Sequence, residues 1–312
     1  MNRLFFSIIS LWLIGILLAP DVCTGDEERY IVLNSWQKGV YTLRQECTHT
    51  LLKTIDGDEA ERDESRLLFT WQIETNGEDD NAEQVFHLKM QRIMMRLRCN
   101  GSELVYFDSS NGKNESDVLN NVFANMKKAN VTVIFKNGKP VEVKGCEQFW
   151  ENLSQPASDS EKELLANIAN LAAQDNIKQT FESLVYFDSP QKVGIGDTWK
   201  NYTDLDIPLM GTKSFEWNCT LGSVRKNNNN IPIASVSGLG SMDFIVNEEV
   251  KGNVKMEGEV LYNSLERFPT TVTSRILLSV EKKGKSTADG KSNGVLEVYS
   301  GFTKNNISVA KH

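Results

Sequence analysis

Long runs in which every second residue is apolar constrain this chain more than any other feature, because a period of two marks half-buried strands. Tyr41, Leu43, Cys47 and Leu51 keep one parity while Thr42, Arg44, Glu46 and Thr48 fill the other. Leu67, Phe69, Trp71 and Ile73 repeat the pattern, as do Phe215, Trp217, Cys219 and Leu221. So do Val254, Met256, Val260 and Tyr262, then Val272, Ile276, Leu278 and Val280. Between Val85 and Cys99 the phase changes: Phe86, Leu88 and Met90 are even-numbered, Ile93, Met95, Leu97 and Cys99 odd. A slip of one residue exchanges the two faces of a strand, so a bulge is expected near Gln91-Arg92. Asn100-Gly101 and Asn137-Gly138 ask for two-residue hairpins. Asp56 to Arg66 reads as an acidic loop, Gly284 to Gly294 as a loose one, and a last strand is expected around Val295 to Tyr299.

The middle of the chain changes period. Val118, Leu119, Val122, Phe123 and Met126 have helical spacing. Ser158 to Glu161 offers a capping box for a helix carrying Leu164, Ile168 and Leu171, and Ile177, Phe181 and Leu184 continue out of phase after a break near Asp175-Asn176. The polar stretch Gln155 to Ser160 is the best linker candidate. The expected fold class is α+β: a strongly curved antiparallel sheet, half-barrel-like, with the helical middle packed on one face or end. Residues 26–155 form an N-terminal β-rich half with short helices, and residues 156–303 a helix followed by the C-terminal β-rich half of the same continuous domain. Residues 304–312 are expected to be a frayed tail. The hexapeptide Leu-Val-Tyr-Phe-Asp-Ser occurs at Leu104 to Ser109 and at Leu184 to Ser189, but the flanks do not match, which favours coincidence over duplication.

Met1 to Gly25 read as a secretory signal peptide. Arg3 gives a positive start, Leu4 to Ala19 are almost wholly apolar, and Pro20 precedes small residues and Asp26-Glu27-Glu28. The apolar run is short of the ~20 residues of a membrane-spanning helix, and no later run approaches that length. Export to a periplasmic or extracellular space follows. With 40% hydrophobic and 24% charged residues the rest has the composition of a folded soluble protein. A net charge of −8 argues against nucleic acid as a partner. Cys23 lies in the leader. Pro20-Asp21-Val22 is a poor triplet for lipid attachment there, so cleavage near Gly25 reads better. The remaining Cys47, Cys99, Cys146 and Cys219 are an even set, which in an oxidising space invites two disulfides with three connectivities. The alternative is four buried free thiols.

Catalytic signatures are scarce: the chain has no H-E-x-x-H, no G-x-x-x-x-G-K and no C-x-x-C, and G-x-S-x-G occurs once, at Gly290 to Gly294 within the loose loop. His49 shares parity with Cys47, a pairing more often found in a core than around a metal, and His87 falls on the opposite parity from Phe86 and Leu88. Asp108, Asp188 and Asp197 sit where strands meet turns, a place aspartate favours for backbone capping. A carboxylate pair at glycosidase spacing stays open. Asn-x-Ser/Thr sites occur at Asn100, Asn114, Asn130, Asn152, Asn201, Asn218 and Asn306, against roughly four that this composition supplies by chance, which is weak evidence for glycosylation.

Pro190 to Trp199 resembles the P-x-x-V-x-x-G-D-x-W segment of a family of exported bacterial proteins of unknown function. Tyr41-Thr-Leu-Arg-Gln45, the Phe69-Thr-Trp71 strand and Gly258 to Asn263 are similar to the family's layout, so the likeness spans most of the exported chain. The chain departs from the family in its four cysteines and in the Asn227 to Asn230 run. The resemblance implies a bacterial setting and brings no known reaction. More remotely, the strand–helix–strand order is similar to half-barrel carriers that shelter lipid groups in the bacterial envelope. The expected role is non-enzymatic: holding a lipid or other apolar group, or an envelope protein partner, on the concave side of the sheet. Phe69, Trp71, Met90, Trp199 and Trp217 are the expected lining, and no cofactor or metal is called for. The alternatives are an exported hydrolase acting on glycans through paired carboxylates, and a purely structural module.

Overall fold

A computed structural model describes residues 29–30, 35–79, 82–111, 117–151, 162, 165–166, 168–169, 172–207, 211–245, 250–283 and 296–312. The leader at 1–25, the linker and capping box at 155–161 and the loop at 284–294 lie outside the described residues. Among those residues there are twelve strands: β1 (Gly39–Ile55), β2 (Asp58–Glu78), β3 (Glu83–Cys99), β4 (Ser102–Asp108), β5 (Val131–Lys136), β6 (Lys139–Lys144), β7 (Thr198–Ile207), β8 (Gly211–Lys226), β9 (Pro232–Ile245), β10 (Val250–Asn263), β11 (Phe268–Lys283) and β12 (Leu296–Lys311). Helices α1 (Asp117–Lys128) and α2 (Gln174–Val185) and a 3-10 turn (Cys146–Trp150) come from the middle of the chain.

The strands form one open antiparallel sheet in the order β6-β5-β3-β2-β1-β12-β11-β10-β9-β8-β7, with β4 paired to β3. Two antiparallel runs, β7 to β12 in sequence order and β1 to β6 in sequence order except that β5 passes β4 to pair with β3, meet where β1 pairs with β12 from Tyr41↔Lys311 to Ile55↔Glu297. The outer edge of β3 is shared: Glu83 to Leu88 pair with β5, and Met94 to Cys99 with β4. The bulge falls at Gln91, where β3 slips against Thr70 and Trp71 of β2, so Met90 and Ile93 both turn inward.

Turn chemistry follows the sequence. Asn100-Gly101 and Asn137-Gly138 take positive φ at both positions (49° and 80°, 51° and 73°), which a two-residue hairpin of matching twist requires. Asp56-Gly57 does the same (51° and 95°). The expected acidic loop over Asp56 to Arg66 is therefore corrected: it is a tight turn and the first half of β2. Charge does not break the strand because opposite charges stand close together, Arg66 on Glu46 at 2.8 Å and Arg62 on Glu64 at 3.2 Å. The frayed tail is corrected too. Residues 304–311 continue β12, paired with β1 throughout and with β11 up to Ser308.

One face of the sheet carries the core. Tyr41, Leu43, Trp71, Ile73, Phe86 and Leu88 are each at most 5% exposed, and Phe86 packs edge-on to Trp36 and Phe135 with ring centroids 5.2 and 4.9 Å apart. Helix α1 buries Val118, Leu119, Val122 and Met126, the stripe its spacing announces. Helix α2 buries Ile177, Phe181 and Leu184, and Phe181 meets Phe86 and Phe135.

Candidate functional site

Further along the same face the inward positions turn polar. Gln45 and Cys47 of β1 stand beside Phe69 and Leu67 of β2 on one side, and Cys47 faces Asn305 of β12 on the other. Asn305 faces Ser274 of β11, Thr303 faces Ile276, and Ile276 faces Met256 of β10. Over these residues lies the second stripe of α2: Asn176, Gln179, Thr180 and Ser183 recur at i, i+3, i+4 and i+7, with Tyr186 just past the helix end. Sheet and helix enclose a hollow of about 210 Å³. Leu67, Phe69, Met256, Ile276 and the Cys47 sulfur supply its apolar wall; amides and hydroxyls supply the rest.

Hydrogen bonds hold this wall in place. Thr180 donates its hydroxyl to Gln45 Oε1 at 3.1 Å, and Gln45 Nε2 donates to Asn305 Oδ1 at 3.2 Å. Ser183 donates back to the Thr180 carbonyl at 2.6 Å. His49, one step further along β1, shares a 2.9 Å hydrogen bond with Thr303. Burial lowers its pKa, with Asp63 acting weakly in the other direction, so at neutral pH it is uncharged. Burial likewise raises the Cys47 thiol, which stays protonated.

The C-terminal end of α2 is anchored by the chain that follows it. Phe187 fits into a socket made by Gly238 of β9 and Gly258 of β10, which pair directly. A Cβ on either glycine would stand 2.7 or 2.6 Å from the ring. Phe187 also packs on Trp217, centroids 5.5 Å apart, and Tyr186 stacks on the same indole at 5.9 Å. Trp199 Nε1 and Asn201 Nδ2 donate to the Asp188 carbonyl at 3.0 and 2.7 Å, and the buried Tyr262 hydroxyl donates to its carboxylate at 3.1 Å. Asp197 accepts the Gly194 amide at 2.8 Å and Asp108 accepts the Ser110 amide at 3.0 Å. All three aspartates therefore do structural work at turns.

Of the expected lining residues, Phe69 borders the hollow. Trp71 and Met90 face one another across β2 and β3 in the core, and Trp199 and Trp217 are buried on β7 and β8. The structure does not bring these five together around one space. The polar lining was not foreseen; its only signal was polar residues at inward parity. The expected disulfides are corrected: Cys47, Cys99, Cys146 and Cys219 are free thiols. They belong to β1, the end of β3, the 3-10 turn and β8, and a bridge needs Cα atoms within ~7 Å. Among the described residues one cluster has ligand atoms within 4.8 Å of one another, Glu61, Asp63 and Cys99. A hydrogen bond to Asp63 raises the Cys99 thiol, and neither His49 nor the hollow takes part.

The outer face has a shallow depression that includes Glu216, Glu257, Leu239 and Leu277. Lys200 pairs with Glu216 at 2.8 Å and Arg275 with Glu257 at 2.9 Å. The hydrogen bond from Lys200 lowers the pKa of Glu216.

The sequence profile of a family of unknown function (DUF6263) matches residues 81–264. No curated protein matches the chain. Among solved structures, that of lipovitellin, described for its lipid–protein interactions, aligns with 88% of this chain at 10% identity and a TM-score of 0.38. The chain spans about a quarter of that protein, 26% of its length. An outer membrane channel from Pseudomonas putida F1 aligns with 93% of the chain and 100% of its own length at 10% identity and a TM-score of 0.20. The transport unit of the autotransporter AIDA-I from Escherichia coli aligns with 95% and 94% at 8% identity and a TM-score of 0.18. No helix among the described residues is long and apolar enough to cross a membrane.

Proposed function

This chain belongs to DUF6263, a family of unknown function, and from that premise we propose that it is an exported binding protein that shelters an apolar group between α2 and the concave side of a half-barrel sheet. The observation that carries the reading is the hollow itself: a space of about 210 Å³ walled by Leu67, Phe69, Met256 and Ile276, beneath a helix whose apolar stripe is spent elsewhere. Export rests on the three-part leader at Met1 to Gly25.

Two rings support strong curvature. Phe181 lies 5.9 Å from Phe86 on β3, and Phe187 lies 5.5 Å from Trp217 on β8. Seven strand spacings separate β3 from β8, which on a flat sheet is ~34 Å at ~4.8 Å each. Six residues of near-helical chain span only ~9 Å. Side chains and ring contacts add to that reach, and a sheet bent toward α2 is the arrangement that brings both strands within it most readily.

Size limits the occupant. Typical small-molecule sites have ~300–1,000 Å³, so the hollow suits the end of an acyl chain or a comparably slim group rather than a whole lipid. The hydrolase reading is weaker. Among the described residues no carboxylate lines the hollow, and the two in the outer depression, Glu216 and Glu257, are ion-paired, with Glu216 held in its charged form, whereas glycoside hydrolysis needs one carboxyl kept protonated. The test is titration of the purified exported chain with 1-N-phenylnaphthylamine, a neutral apolar fluorophore. The expected result is a saturable signal that Ile276→Trp, which fills the hollow, reduces at least ~5-fold, the loss of about 1 kcal/mol of contact. An unsaturable signal, or one indifferent to Ile276→Trp in a folded variant, sinks the reading.

A further inference from the structure

The wall of the hollow also speaks to the chemistry of what enters it, and this step rests on the binding reading above. We infer that the ligand is a neutral amphiphile, an alkyl chain ending in a hydroxyl, ester or amide, and not a fatty acid anion or a phosphorylated lipid. Among the described residues every polar group lining the space is uncharged, the amides of Gln45, Asn176, Gln179 and Asn305 and the hydroxyls of Thr180 and Thr303 among them, and no Lys, Arg, Asp or Glu lines it. Outside the hollow the chain is not short of charge, with 34 basic and 42 acidic residues. Charged residues of α2 point away; Lys178 and Glu182 pair with each other at 3.7 Å.

Both ends of an amphiphile find a match. An alkyl segment meets Leu67, Phe69, Met256 and Ile276, while the amide and hydroxyl rows of α2 and β12 offer donors and acceptors together. A hydroxyl or ester oxygen is satisfied by such groups. An anion is not: leaving water for a site without a cation carries a desolvation cost that neutral donors do not offset. His49, two residues beyond Cys47 on β1, adds no positive charge, because burial lowers its pKa and its Nδ1 is engaged by Thr303.

The test uses the purified exported chain, titrated calorimetrically with monolaurin and with dodecanoate, each below its micelle-forming concentration, at about pH 8, where an ordinary carboxyl is ionised. Monolaurin is expected to bind at least ~10-fold more tightly. Alkylation of Cys47, followed in a Cys99→Ser background, should slow in step with saturation, which locates the binding. Gln179 is exposed at the rim, so Gln179→Arg folds readily and supplies the missing cation; it should bring dodecanoate to within about threefold of monolaurin. Equal or tighter binding of dodecanoate by the unmodified chain overturns the neutral-ligand inference while leaving the binding reading intact. If neither compound binds or protects Cys47, both fall.

Discussion

Asp108 shows how much one side chain fixes locally. Arg92 grips it from across the β3–β4 region with Nε and Nη2 at 3.1 and 2.6 Å, and Ser110 donates its hydroxyl and its amide to the same carboxylate. The Arg92 hydrogen bond, reinforced by Ser110 against the cost of burial, lowers the Asp108 pKa to about 2. An unfolded aspartate titrates near ~3.9. The charged form is therefore favoured by folding, and the stabilisation is present above about pH 4 and lost as pH falls toward 2. Arg92 is itself partly exposed, which discounts the worth of the pair. Asp108→Asn should destabilise the protein by about 1–2 kcal/mol at neutral pH and by progressively less below pH 4. Urea unfolding at a series of pH values checks this; a penalty that does not change with pH contradicts it.

Among the elements, the repeated hexapeptide is the most instructive. Leu104 to Ser109 is mostly strand, with Leu104 and Tyr106 exposed and Phe107 buried, while Leu184 to Ser189 closes a helix and turns away from it with Leu184 and Phe187 buried. The same six residues take two structures because their neighbours differ, and the phenylalanine is buried in both. The second copy depends on small partners. Phe187→Ala should cost about 3–4 kcal/mol, and Gly258→Val about 2–3 kcal/mol by overpacking. In the double variant the valine should cost far less than it does alone, because the ring it strikes is gone. Additive losses in a double-mutant unfolding cycle would remove the socket.

Legibility at this scale follows the same physics. Strands whose inward residues are large were plain from alternation, as were the Asn-Gly turns and the bulge at Gln91. Strand β9 was missed because two of its inward positions are Gly238 and Gly240, which admit the rings of Phe187 and Phe215 but carry no hydrophobic signal. The end of β12 was missed for a reason that also concealed the site. Thr303 and Asn305 are polar at inward parity, so a pattern search reads them as loop. Polarity facing a hollow is what a site for an amphiphile needs, and it is what hides such a site from periodicity.

For the whole molecule, antiparallel strands and a helical middle were legible, but the join between the halves was not. Nothing local says that β1 meets β12; Thr42 and His312, which share a 2.7 Å hydrogen bond, are 270 residues apart. That seam makes the last described strand a central one. Removing residues 304–312 should therefore unpair half of β1 and take Ile307 and Val309, both buried, out of the core. The expected outcome is loss of the cooperative thermal transition, or a fall in Tm of more than about 10 °C. A truncated chain that melts like the parent would show the seam to be dispensable.

An open sheet ends in two unpaired rows of backbone amides and carbonyls, and such rows invite other chains to add on. Here the edge on one side is shared by β4 and β6, and β6 is six residues long and runs Lys139-Pro140-Val141-Glu142-Val143-Lys144. Proline removes a donor from the ladder, and the exposed lysines make stacking of a second copy repulsive. On the other side β7 presents Lys200, Tyr202 and Asp204 to solvent, with Lys200 bound to Glu216. The β6 and β7 edges are thus chemically guarded, and an open sheet keeps these borders without becoming a template for fibres.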